Sequence, residues 1–76
     1  MTTAAEAIRE AMLALGGEAS IPEVTAWIAG HYPRRWRNST ISTEMADLTY
    51  PGSRSSEYPT SRRFLVRVRP GLYRLK

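Results

Sequence analysis

Apolar residues recur through the first two-thirds of the chain at helical spacing and then, at its end, alternate. Ala5, Ile8, Met12 and Leu15 form one stripe, Ile21, Val24 and Ile28 a second with Trp27 at its edge, and Ile41, Met45 and Leu48 a third. Each stripe has its own start signal. Thr3-Ala4-Ala5-Glu6 and Ser20-Ile21-Pro22-Glu23 are capping boxes, the second with proline in the first turn, where its missing N–H costs nothing. Helix one is predicted to stop at about Leu15, before Gly16-Gly17; helix two is predicted from Ile21 to about Ala29, with Gly30 closing it. The third helix, about 38–49, takes Asn38 or Ser39 as its N-cap. Its inner stripe leaves Ser39, Thr43, Ala46 and Asp47 on a short, polar and open outer face.

Residues 50–61, from Tyr50-Pro51-Gly52 to Tyr58-Pro59-Thr60-Ser61, carry breaker signals throughout and read as a loop. At about a dozen residues it is long for so small a chain, which points to a functional or disordered segment. From Phe64 to Arg69 the chain alternates, with Phe64, Val66 and Val68 on the face expected to turn inward. Pro70-Gly71 suits the centre of a type II turn, and Leu72 to Leu75 returns as the partner strand. A two-residue turn then pairs Val68 with Tyr73, Val66 with Leu75, and Arg67 with Arg74 on the outer face. Like charges directly opposite are unfavourable, so either an anion sits beside the two arginines or they splay into water. Three helices followed by a two-stranded β-hairpin wing make an α+β fold, a single winged helix spanning 1–76.

At 76 residues, folding buries roughly 60% of the unfolded chain's surface, so the core is small. There are no cysteines and no cluster of metal ligands, and neither a cofactor nor a metal is expected. No apolar run suits a signal peptide or a membrane span, so no membrane partner is expected and a reducing cytoplasm is the expected setting, nucleoid-associated in a bacterium or archaeon. Charge sharpens the picture. The formal +4 divides into −3 over residues 1–33, where four glutamates face Arg9, and +7 over residues 34–76, where ten basic groups face Glu44, Asp47 and Glu57. All the basic residues but Lys76 are arginine, whose planar fork suits phosphate and base edges.

The basic half is thus gathered on the third helix and the hairpin, the parts with which a winged helix holds double-stranded DNA. Arg34, Arg35, Arg37, Arg54, Arg62, Arg63, Arg67, Arg69 and Arg74 are the candidate phosphate contacts. Ser39, Thr40 and Thr43 are the candidate groove contacts, and Thr43 can also touch a thymine methyl. Glu44 and Asp47 leave the N-terminal turn of the helix as the better DNA-facing part. Asn38 can read adenine or cap the helix. Trp36 has two roles open to it, a lid over the small core or an apolar wall against a base or methyl group, with Tyr50 and Tyr58 nearby. His31, with no carboxylate or cysteine pattern around it, reads as a loop histidine.

Thr3-Ala4-Ala5-Glu6-Ala7-Ile8, Gly16-Gly17 before Ile21-Pro22-Glu23-Val24, Ser39-Thr40-Ile41, and the run from Phe64 through Pro70-Gly71 to Leu75 together resemble a HARE-type winged helix-turn-helix. The resemblance spans nearly the whole chain, departing from the pattern in the long loop. It implies DNA attachment or sensing, extending to methylated DNA, in the setting of restriction-modification enzymes and other DNA-associated systems, and no catalysis. The acidic residues are scattered over separate helices, so neither a metal-assisted hydrolase nor a small-molecule substrate is expected. The competing expectation is a protein-interaction winged helix, whose basic face docks an acidic partner or a fused or associated enzyme domain. An exposed apolar patch at Trp27 or Tyr32 would mark that case.

Overall fold

Both capping boxes form in the computed structural model, which describes residues 2–52, 56 and 58–76. Thr3 Oγ1 accepts from the Glu6 amide at 3.2 Å while the Glu6 carboxylate accepts from the Thr3 amide at 3.0 Å, and Ser20 and Glu23 repeat the exchange at 3.3 and 2.9 Å. Two otherwise orphaned amides are satisfied at each helix start. Helix α1 runs Ala4–Ala14 and ends in a Schellman arrangement: the Gly17 amide reaches Met12 O at 2.7 Å and the Gly16 amide reaches Leu13 O, with both glycines at φ 91°.

Helix α2 runs Ile21–His31, two residues past the expected stop. Gly30 lies inside it and does not close it, because a helical glycine carries an entropic penalty of under about 1 kcal/mol and no steric one. His31 is therefore helical rather than a loop residue. Its ring stacks on Trp27 at 3.7 Å with Nδ1 2.8 Å from Trp27 O, at the helix C-terminus.

Helix α3 runs Asn38–Asp47. Its N-cap is Arg37, so the expectation of Asn38 or Ser39 is corrected by one or two residues, and no side chain caps the first turn. The turn before it explains the shift. Arg35 N–H bonds to Tyr32 O at 3.2 Å across Pro33-Arg34, with Arg34 at φ 60°, the positive value a type II turn needs at its third residue. That turn delivers the chain to Arg37 already extended, and the helix begins at the next residue.

A short 3₁₀ turn, Thr60–Arg62, precedes strands that the chain order numbers β2 (Leu65–Arg69) and β3 (Leu72–Leu75), because Glu18–Ser20 is itself a strand, β1. The sheet is antiparallel in the order β1-β3-β2. The hairpin thus gains a third strand that sequence patterning did not reveal. The complete order, α1-β1-α2-α3-β2-β3, makes an α+β winged-helix arrangement.

The two-residue turn holds, since Arg69 pairs with Leu72, but a bulge between Arg67 and Arg69 shifts the rest of the ladder by one. Leu65 pairs with Leu75, Val66 with Arg74, and Arg67 with Tyr73. The expected faces are therefore exchanged: Leu65 is fully buried, whereas Val68 is 45% exposed. The cause is tertiary. Leu65 N–H bonds to Leu48 O at 3.1 Å and Tyr50 N–H to Leu65 O at 2.7 Å, so the end of α3 seizes the first residue of β2 and turns its side chain inward. The core beneath is built from Ile8 and Met12 of α1, Val24 and Ile28 of α2, Ile41, Met45 and Leu48 at α3, and Ala19, Leu65 and Tyr73 of the sheet. Each large side chain there contributes about 1.5–3 kcal/mol by leaving water.

Candidate nucleic-acid interface

With Ile41, Met45 and Leu48 committed to the core, α3 turns Ser39, Thr40, Thr43 and Ala46 outward, all exposed. Ser39, Thr40, Thr43 and Glu44 line a shallow hollow on that face. Along the same stripe, one turn further on, Ala46 forms one wall of an open cleft of about 450 Å³ between helix and hairpin. Its other walls are the Tyr50-Pro51-Gly52 turn, entered through a cis Tyr50–Pro51 bond, and Val66, Arg67 and Tyr73 of the wing. Helix face, cleft and wing form a continuous surface.

The arginines of the first cluster divide by what holds them. Arg34 and Arg37 are exposed at the open N-terminus of α3. Arg35 is turned back: its Nη2 donates to Thr2 O at 2.9 Å, and its guanidinium lies 4.9 Å from the centre of the Trp36 ring. Trp36 is half-buried, meets Tyr32 edge-on at 5.7 Å and packs against the core with the rest of its ring open to solvent. Asn38 is exposed in the first turn and free of the capping duty.

In the second cluster the structure separates neighbours. Arg62 is exposed, but Arg63 is 7% exposed and its fork is consumed internally, Nε donating to Tyr58 O at 3.0 Å and Nη1 to Pro51 O. Arg63 is thus a clamp on the loop rather than the phosphate contact the sequence suggested. Its burial follows from those two carbonyls, which have to be satisfied once the chain folds over them. Arg67 and Arg69 are exposed on β2. Arg74 is exposed too but does not face Arg67; it pairs with Val66 on one side and with Glu18 on the other, on the sheet face opposite Tyr73. The proposed pair of facing arginines is absent because of the bulge. Arg54 lies outside the described residues.

Sequence reasoning missed one feature of the site altogether. Ser56 and Tyr58 lie against α3, where Tyr58 OH donates to Glu44 Oε2 at 2.5 Å and Ser56 Oγ donates to Asp47 O at 2.7 Å. Fourteen residues separate Tyr58 from Glu44, and no local pattern links them. Elsewhere, Arg9 lies 5.6 Å from the centre of the Phe64 ring and Lys76 Nζ 3.7 Å from that of Tyr50, so two further cations rest on aromatic faces. Tyr32 OH donates to Glu10 Oε2 at 2.7 Å, and that bond, above all, raises the phenol's pKa. Among the described residues, no group of three or more His, Cys, Asp and Glu side chains could hold a metal ion. No helix among them is long and apolar enough to cross a membrane.

A family model described as a domain of unknown function, DUF7669, matches residues 3–75. Neither the comparison with curated proteins nor that with solved structures returned a match.

Proposed function

Since the chain belongs to the DUF7669 family, which carries no assigned activity, we propose from its own geometry that it is a double-stranded DNA-binding module. The observation that carries the reading is the coincidence of three things on one surface. The exposed face of α3 is made of short hydroxyl side chains, its N-terminal amides have no side-chain cap, and exposed arginines flank it from the preceding turn and from the wing. A helix start with open amides favours an anion, and Arg34 and Arg37 stand beside it. In the reading, α3 enters the major groove with Ser39, Thr40 and Thr43 toward the base edges. Arg34, Arg37, Arg62, Arg67 and Arg69 neutralise phosphates on either side, and the cleft beside Arg67 receives the sugar–phosphate strand passing from helix to wing.

The competing reading, a basic surface that docks an acidic protein, asked for an exposed patch at Trp27 or Tyr32. Both rings are half-buried, one stacked on His31 and the other bonded to Glu10. That observation favours the nucleic acid.

Fluorescence anisotropy with labelled duplexes separates the two. Binding that a duplex competitor displaces, and that Arg37→Ala weakens more than Arg9→Ala, is the expected outcome. Displacement by an acidic polypeptide but not by duplex would transfer the surface to a protein partner. The same series with adenine- or cytosine-methylated duplexes reads out any preference for a modified base.

A further inference from the structure

We propose that Glu44 is a base-reading residue, its carboxylate held by Tyr58 so as to accept the amino hydrogen of a cytosine in the major groove. The inference rests on the DNA reading above and adds to it a base preference and the residue that sets it.

The argument starts from position. Glu44 follows Thr40 by four residues and lines the same hollow as Ser39, Thr40 and Thr43, so its carboxylate sits among the groups offered to the groove. An acidic side chain on a surface that otherwise attracts phosphate opposes binding unless it does something selective. A glutamate free to swing would turn away from DNA; this one is held. Tyr58 OH donates to Oε2 at 2.5 Å and is, among the described residues, the only hydrogen-bond partner of that carboxylate.

Tyr58 is itself pinned. Arg63 Nε donates to its carbonyl at 3.0 Å, its amide donates to Ser56 Oγ at 3.3 Å, and Ser56 is tied to the α3 backbone. Much of the rotamer entropy that a glutamate loses on binding is therefore lost at folding.

Chemistry then chooses the base. An ionised carboxylate is an acceptor only, with about four lone-pair sites, of which the tyrosine uses one. It is mismatched to guanine O6 and N7 and to thymine O4, all acceptors, and is matched to an exocyclic amino group. Cytosine's amino group has an acceptor on one side only, the O6 of its paired guanine, whereas the adenine amino group stands between its own N7 and the O4 of its paired thymine, so a second carboxylate oxygen is repelled from either side. Cytosine is the partner the geometry favours.

The test is retention of a random-sequence duplex pool by the intact chain, with the retained fraction sequenced. The wild type is expected to enrich cytosine about fivefold at one position, the lower end of what a well-placed side chain discriminates. Glu44→Gln, nearly isosteric, is expected to move that preference to adenine, because an amide can donate to N7 while accepting from the amino group. Tyr58→Phe is expected to retain the pool but narrow the cytosine preference, an effect that a merely structural strap would not produce. Circular dichroism checks that each variant is folded. A pool retained with the same base profile by wild type and Glu44→Gln would overturn the inference and leave DNA binding standing. A pool not retained by the wild type at low salt would overturn the DNA reading, and this inference with it.

Discussion

Arg62 and Arg63 are adjacent, identical in chemistry and opposite in role. Arg62 is exposed, while Arg63 is buried with its fork on two backbone carbonyls. Arg63→Ala is therefore expected to cost about 1–3 kcal/mol of stability by stranding those carbonyls, read as a lower midpoint in urea or heat. Arg62→Ala is expected to leave the midpoint in place and to weaken duplex binding. Arg34 offers a second separation of the two effects. It occupies positive φ, which strains any residue with a Cβ, so Arg34→Gly is expected to hold or raise the melting temperature while it weakens DNA binding through the lost charge. A melting curve and a binding titration on the same sample decide both cases.

Among the elements, α1 and α2 owe their starts to carboxylates that bond to backbone amides. The Thr3 amide, with the Thr3 hydroxyl second, holds the Glu6 carboxyl below its ordinary 4.5, and Ser20 does the same to Glu23. A carboxyl whose pKa is lower in the folded state stabilises above its unfolded value and loses that contribution as pH falls through the folded one. The helices are thus expected to weaken from about pH 4.5 downward, and a Glu6→Gln/Glu23→Gln double variant, whose amides still cap but do not titrate, is expected to show a shallower fall in melting temperature over that range. At the other end of α2, Gly30 is exposed and a Cβ there would meet nothing within 4 Å. Gly30→Ala is expected to stabilise the protein by about 0.4–1 kcal/mol, chiefly by restricting the unfolded chain.

At the scale of the whole molecule, charge and shape act together. The acidic residues of the first 33 positions lie on α1, β1 and α2, whereas among the described residues every exposed arginine but Arg9 of α1 lies on the turn before α3, the 3₁₀ turn or the wing, where Arg74 stands beside Glu18 of β1. If about four phosphates are neutralised, the logarithm of the duplex association constant is expected to fall with the logarithm of salt concentration at a slope of about −3.6. A slope near zero would mean that the arginines do not reach the backbone. Removing either Arg67 or Arg69 by alanine substitution is expected to reduce the slope by about 1, which ties the wing to the contact.

Much of the fold was legible along the chain because its signals are local. Capping boxes, helix-spaced stripes, the glycine pair and the Pro70-Gly71 turn each depend on residues within about four positions of one another, and the three helices and the two-residue hairpin turn follow from them. The outward face of α3 was legible for the same reason. What remained hidden depends on partners far away in sequence. Strand β1 is three residues long with no β-branched side chain, and it exists because β3 offers it an unpaired edge. The face of β2 could be read either way, since apolar residues occur in both phases, and the backbone bonds from Leu48 and Tyr50 to Leu65 decided it. The start of α3 was displaced by the strained turn at Arg34, and Arg63 and Glu44 found partners at Pro51 and Tyr58, twelve and fourteen positions away. Local hydrogen bonding and periodicity determined which elements form, whereas the satisfaction of buried polar groups across the fold decided which face, which register and which arginine remained available to a partner.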